Sequence, residues 1–184
     1  ILSANNNALG SQINAQTLNA VIPNGADAGL TVAFGLASTP DGLAILTANN
    51  NALGSQINAQ TLNTVIPNGD DAELSLAFVL ASTPEGLAIL TANNNALGSQ
   101  INAQTLNAMI THGPCAGLSV ALLLTDTSEG RAILAANNNA LGSQINAQTL
   151  NTIIAEALGV GESVAFWLSR TPEGCAILAA HNNA

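Results

Sequence analysis

The chain has 184 residues, 48% of them apolar and only 7% charged, and its net charge of -9 sets 11 acidic residues against Arg131 and Arg170, with no lysine. Binding to nucleic-acid phosphates or to an anionic membrane surface draws on clustered Lys and Arg, so both are excluded as partners. The apolar content also excludes disorder of the high-charge kind, and no apolar run approaches the roughly 18 residues of a transmembrane helix.

One 44-residue unit is written four times, as 1–44, 45–88, 89–132 and 133–176, with a partial fifth copy at 177–184. A fixed period of this length marks a repeat array, in which each unit buries its apolar face only against a neighbour. Conservation within the unit is uneven. Across the first 19 positions a single column varies (Ser3, Thr47, Thr91, Ala135), whereas only six of the remaining 25 columns are constant, those of Ile22, Ala33, Leu36, Thr39, Gly42 and Ala44. Recent duplication with patchy homogenisation accounts for this pattern. So does a constant framework carrying a varied recognition segment. The final residues repeat the phase of the first ones and no methionine opens the chain, so four copies are expected to be part of a longer array.

In chain order, the first expected element is helix A, from about Gln12 to Ile22. Ile13, Thr17, Leu18, Val21 and Ile22 form its apolar stripe, and Gly10-Ser11 or Asn14 supplies its start. Pro23-Asn24-Gly25 breaks it. Helix B is expected from about Ala28 to Ser38, apolar nearly all round and therefore interior. Thr39-Pro40-Asp41 then gives a cap, a first-turn proline and a favourable acidic charge for helix C. That helix is expected to bury Leu43, Ala44, Ile45, Leu46 and Ala48 and to fray in Asn49-Asn50-Asn51. Three short helices per unit predict an all-α chain, an α-solenoid of four tandem repeats forming a single array over residues 1–184. A β-solenoid, suggested by the asparagine columns and low charge, is the competing fold.

The motif Thr39-Pro40-Asp41-Gly42-Leu43-Ala44, repeated as Thr83-Pro84-Glu85-Gly86-Leu87-Ala88, resembles the Thr-Pro-Leu-His-x-Ala opening of ankyrin repeats. Leu62-Asn63-Thr64-Val65-Ile66 followed by Asn68-Gly69-Asp70-Asp71 is similar to the second ankyrin helix and its turn. The three-helix count and the unit length look more like armadillo or HEAT repeats. What these resemblances imply is an interaction scaffold without catalysis of its own; they carry over no binding residue.

Candidate sites follow from the columns. Column 35 holds Gly35, Val79, Leu123 and Trp167, a volume range that a uniform core would not accept. A surface position is therefore expected, with Trp167 as a binding anchor or, alternatively, as a core residue closing the last repeat. The loop Pro23–Gly29 and its copies at 67–73, 111–117 and 155–161 vary together, placing Asn24, Asn68, His112 and Glu156 among the partner-binding candidates. Asp41, Glu85, Glu129 and Glu173 share one phase and are read as helix-start charges. Asn5, Asn6, Asn7 and their copies, with His181 at the first of these columns in the last copy, are expected to form a hydrogen-bond ladder capping helix C, or a repeated polar face for a repetitive ligand.

No cofactor, metal site or catalytic centre is expected. His112 and His181 lie in no metal spacing, and a His112–Cys115 pair would belong to one loop only. Cys115 and Cys175 sit at different phases, so free, mostly buried thiols are expected, which favours a reducing, cytoplasmic compartment. The resulting functional expectation is a scaffold for a protein partner. The alternative is a structural array in which low charge and stacked asparagines serve self-association into a filament or surface layer.

Overall fold

A computed structural model of the chain describes residues 12–25, 27–153 and 161–181. Among them the protein is all-α, with isolated antiparallel bridges and no strand, so the β-solenoid is set aside. The chain falls into two compact units, Ile1–Gln100 and Ile101–Ala184.

In the first unit the elements are α1 (Ala15–Leu18), α2 (Val32–Ala37), α3 (Pro40–Asn51), a 3-10 turn (Gly54–Gln56), α4 (Ala59–Asn63), α5 (Leu76–Ala81), α6 (Pro84–Asn95) and a second 3-10 turn (Gly98–Gln100). The second unit comprises α7 (Ala103–Asn107), α8 (Val120–Asp126), α9 (Ser128–Asn139), a 3-10 turn (Gly142–Gln144), α10 (Ala147–Asn151), α11 (Val164–Ser169) and α12 (Pro172–His181). In each unit, like elements of successive repeats pack together: α2 on α5 and α3 on α6 in the first, α8 on α11 and α9 on α12 in the second.

The helix starts are set by local chemistry. Asn14 and Asn58 accept from the Thr17 and Thr61 amides at 2.9 and 2.8 Å, while the Thr31 and Ser75 hydroxyls accept from the Phe34 and Phe78 amides at 3.1 and 3.2 Å. Thr39 and Thr83 cap the Gly42 and Gly86 amides, each at 3.1 Å, with proline in the first turn. A capping side chain of this kind stabilises a helix by about 1 kcal/mol.

Helices A and B are both shorter than expected. Helix A does not span Gln12 to Ile22: α1 starts after the Asn14 cap and stops at Leu18, because Val21 and Ile22 are drawn into pairing with the far side of the loop. The Ile22 amide donates to the Leu30 carbonyl and the Gly29 amide to the Ile22 carbonyl, both at 2.9 Å. The same pairing removes residues 28–31 from helix B, which begins at Val32. Helix C starts as expected, yet Ala44 faces outward and Ala48 is half-buried while Gly42, Leu43, Ile45 and Leu46 are buried.

The asparagine run departs furthest from expectation. It neither frays nor builds an amide ladder. Ala48 is extended (φ -56, ψ 151), and Asn49 (φ 51, ψ 46), Asn50 (φ 59, ψ 47) and Asn51 (φ 60) turn left-handed. The Ala52 amide then closes this reversed turn on the Ala48 carbonyl at 3.3 Å. The turn recurs at Asn93–Asn95 and Asn137–Asn139, closed by Ala96 and Ala140 at 3.2 Å. A left-handed residue with a Cβ costs roughly 1–2 kcal/mol, and asparagine is among the few types that visit this region routinely. Three in succession explain a triplet of one residue type. Among the described residues, no hydrogen bond joins the side chains of these triplets, whose first two members are exposed.

Several core side chains are wholly enclosed. Ala33 and Leu46 in the first unit and Leu124 and Leu134 in the second are 0% exposed, and each buried leucine contributes about 1.5–3 kcal/mol. Constant glycines permit the close approach of helices B and C. A Cβ at Gly42, Gly86, Gly130 or Gly174 would run into the carbonyl oxygen of Leu36, Leu80, Leu124 or Leu168 respectively.

Candidate functional site

The candidate surface is built on helix B and the loop before it. Thr31 is both the bridge partner of Val21 and the cap of α2, so the loop base and the helix share one anchor. Val65 and Ser75 repeat this arrangement in the first unit, and Ile153 and Ser163 in the second. In the second unit the Ile110 amide donates to the Leu118 carbonyl at 2.9 Å, closing the third loop in the same way.

Column 35 lies one turn into that helix and points outward. Gly35 is exposed and Val79, Leu123 and Trp167 are half-buried, whereas their neighbours Leu36, Leu80, Leu124 and Leu168 are buried. The wide volume range therefore falls where solvent absorbs it. Trp167 is neither fully open nor a core residue: the Arg170 guanidinium lies 5.6 Å from its ring centre and 5.5 Å from that of Phe166. Such stacking over an aromatic face is worth about 0.5–1 kcal/mol at an exposed site.

The loop candidates are placed at the tips. Asn24 and Asn68 are exposed, as is His112, whose Nδ1 lies 2.7 Å from the Thr111 hydroxyl. Glu156 lies outside the described residues. Loop tips and column 35 thus occupy separate places on one rigid support, the tip of a closed loop and the outer face of the helix it feeds.

Other expectations are corrected or placed. Cys175 is exposed and Cys115 half-buried, so the thiols are free but not mostly buried, since both sit where the unit turns outward. Asp41, Glu85, Glu129 and Glu173 are exposed in the first turn of helix C. The Ser128 hydroxyl donates to Glu129 at 2.8 Å; that bond, then the Glu129 backbone amide and the Arg131 charge, hold its carboxyl below the ordinary range. Among the described residues no three metal-ligating side chains cluster, and no helix is long and apolar enough to cross a membrane.

One feature escaped sequence reasoning. The Asn19 side chain donates to the Ala15 carbonyl in its own helix at 2.7 Å and to the Gln56 carbonyl of the next repeat at 2.8 Å, and accepts from the Asn58 amide at 3.0 Å. This constant asparagine is an inter-repeat clamp. Its signal was present, as an asparagine constant in all four units at a helix end, but nothing in one sequence separates it from the other constant asparagines. A groove of about 470 Å³ also runs between successive helices C in the first unit, with Ser38, Thr39 and Pro40 on one wall and Thr83 and Glu85 on the other.

Comparison with protein-family profiles, with curated proteins and with solved structures finds no match to this chain.

Proposed function

We propose that this chain is a protein-binding scaffold, an α-solenoid of four tandem repeats of armadillo/HEAT-like unit length. The observation that carries the reading is column 35: beside the constant, buried column of Leu36, Leu80, Leu124 and Leu168, the column holding Gly35, Val79, Leu123 and Trp167 is outward-facing and varied. The loop tips at Asn24, Asn68 and His112 extend the same variation. Constant clamps, left-handed turns and close-packed glycines supply a framework that leaves these positions free to differ.

Panning a displayed peptide library against the chain tests the proposal. Binders are expected to protect the amides of the loops and of helix B, and Trp167→Ala is expected to weaken the peptides that contact the fourth repeat by about 30-fold, the effect of losing an anchor of about 2 kcal/mol. Helicity by circular dichroism should be retained. Protection confined to the helix C framework, or unfolding of the Trp167→Ala chain, would count against this surface.

A further inference from the structure

Asparagine followed by glycine is a reactive pair as well as a turn signal. The glycine nitrogen can reach the carbonyl carbon of the asparagine side chain and close a five-membered ring, and glycine has no Cβ to hinder the approach. The chain carries this pair twice, as Asn24-Gly25 and Asn68-Gly69, both at loop tips. In the second loop every residue from Pro67 to Asp71 is exposed. The base of that loop is held by the Ile66 amide on the Leu74 carbonyl and the Glu73 amide on the Ile66 carbonyl, both at 2.9 Å, while the Gly69 carbonyl accepts from the Ala72 amide at 3.2 Å. Among the described residues the Gly69 amide itself donates to no partner, and its φ of 89 is one that glycine adopts without strain. Asn24 and Gly25 (φ 97) are exposed in the same way.

Elsewhere the fold occupies the groups that such a ring closure needs. After Asn19 the Ala20 amide donates to the Thr17 carbonyl at 3.3 Å, and after Asn63 the Thr64 amide donates to the Gln60 carbonyl at 2.9 Å. After Asn51 and Asn95 the Ala52 and Ala96 amides close their turns on the Ala48 and Ala92 carbonyls at 3.3 and 3.2 Å. Asn14 and Asn58 are held from the other side, since their side-chain oxygens accept from the Thr17 and Thr61 amides at 2.9 and 2.8 Å. Asp41-Gly42 gives the sharpest contrast. Its sequence allows the same ring, with loss of water, but the Gly42 amide donates to the Thr39 hydroxyl at 3.1 Å in the first turn of α3, and Gly42 is buried.

We propose that Asn24 and Asn68 are modification sites, converted without an enzyme to aspartate and isoaspartate, so that the first two loops change charge and backbone length with time. The Gly69 nitrogen gives its proton to a solvent base and attacks Cγ of Asn68. The N–Cγ bond forms, the Cγ–Nδ2 bond breaks, and ammonia leaves with a proton taken back from solvent. Water then opens the succinimide at either carbonyl. One opening restores the ordinary backbone with an acid side chain; the other routes the chain through the side-chain carbonyl and adds a methylene to the loop. Either product places a new carboxylate close to Asp70 and Asp71, and in the first loop close to Asp27. His112 holds the equivalent place in the third loop, which does not undergo this reaction.

The test holds the full chain folded at mildly alkaline pH, samples it over time, and reads each asparagine by peptide mapping and mass spectrometry. Conversion is expected at Asn24 and Asn68 ahead of every other asparagine, as a mixture of aspartate and isoaspartate, and faster as pH rises, because the attacking nitrogen must lose its proton. Isoelectric focusing should show two successive acidic bands, each displaced by one negative charge from the parent's -9. Asn24→Gln and Asn68→Gln, which keep an exposed amide but demand a larger ring, should each remove one band and leave circular dichroism unchanged. In urea Asp41 is expected to isomerise too, since unfolding frees the Gly42 amide. An Asn68 that keeps its amide in the folded chain and loses it in urea, conversion at Asn19 or Asn51 as fast as at Asn68, or an acid product without isoaspartate would overturn the proposal. None of these readouts needs a partner, so their failure leaves the binding surface at column 35 standing.

Discussion

Asn94 sits at φ 59 and ψ 46, in the middle of a left-handed turn and exposed to solvent. Its conformation, not a partner, selects the residue type, because an ordinary side chain there strains against the following carbonyl. Asn94→Ala is therefore expected to lower stability by about 1 kcal/mol, while Asn94→Gly, which fits φ > 0 without strain, should cost far less. Urea unfolding of the two variants decides it: equal losses would mean that the amide, and not the backbone, is what the position needs. Glu73 is a related case, at φ 69 where Gly29, Gly117 and Gly161 hold the equivalent place.

Among elements, helix C starts on proline in three of its four copies, and the third repeat departs from this. Ser128 stands at the first helical residue, where α3, α6 and α12 have proline. The preceding Thr127 (φ -113, ψ 157) already has the extended backbone that proline requires of its neighbour. Ser128→Pro is expected to raise stability at neutral pH by about 0.4–1 kcal/mol, through a less free unfolded chain.

The same change removes the largest cause of the depressed Glu129 pKa, the Ser128 hydroxyl bond. A depressed folded-state pKa gives stability that is present above the ordinary carboxylate pKa and lost as pH falls through the folded value. The Glu129 carboxyl should thus titrate closer to its ordinary range in Ser128→Pro, and the small acid-side loss it contributes should shrink. Carbon-detected titration of Glu129 reads this directly, and an unchanged midpoint would remove the hydroxyl from the explanation.

At the scale of the whole molecule, charge is the governing quantity. A net charge of -9 carried almost wholly by carboxylates keeps molecules apart at neutral pH, and it vanishes near the isoelectric point of about 4.1. Turbidity is expected to rise as pH falls towards that value and to recede below it, where Arg131, Arg170 and the histidines leave a positive net charge. Turbidity that is flat across this range would mean that self-repulsion does not control solubility.

Much of the fold was legible because its signals are local. The Thr39-Pro40 start, the Asn14 cap and the inward leucines of helix C depend on residues within one turn of each other, and all stand in the structure as the sequence predicts. The length of helices A and B was not legible. Ile22 is as apolar as a helix residue needs to be, and only its backbone pairing with Leu30, eight residues away, takes it out of the helix. The outward face of helix B was partly legible, through the volume range of column 35.

The sequence by itself determined a repeat, a helical class, the capped starts and a surface chemistry dominated by carboxylates over its two arginines, because these follow from composition and short-range stereochemistry. Only the tertiary structure decided the hand of the asparagine turns, the clamp at Asn19 and the loop pairing that shortens helices A and B. The reason is physical. A residue's role at an interface depends on what the neighbouring repeat places against it, as the role of Asn19 depends on Gln56 and Asn58.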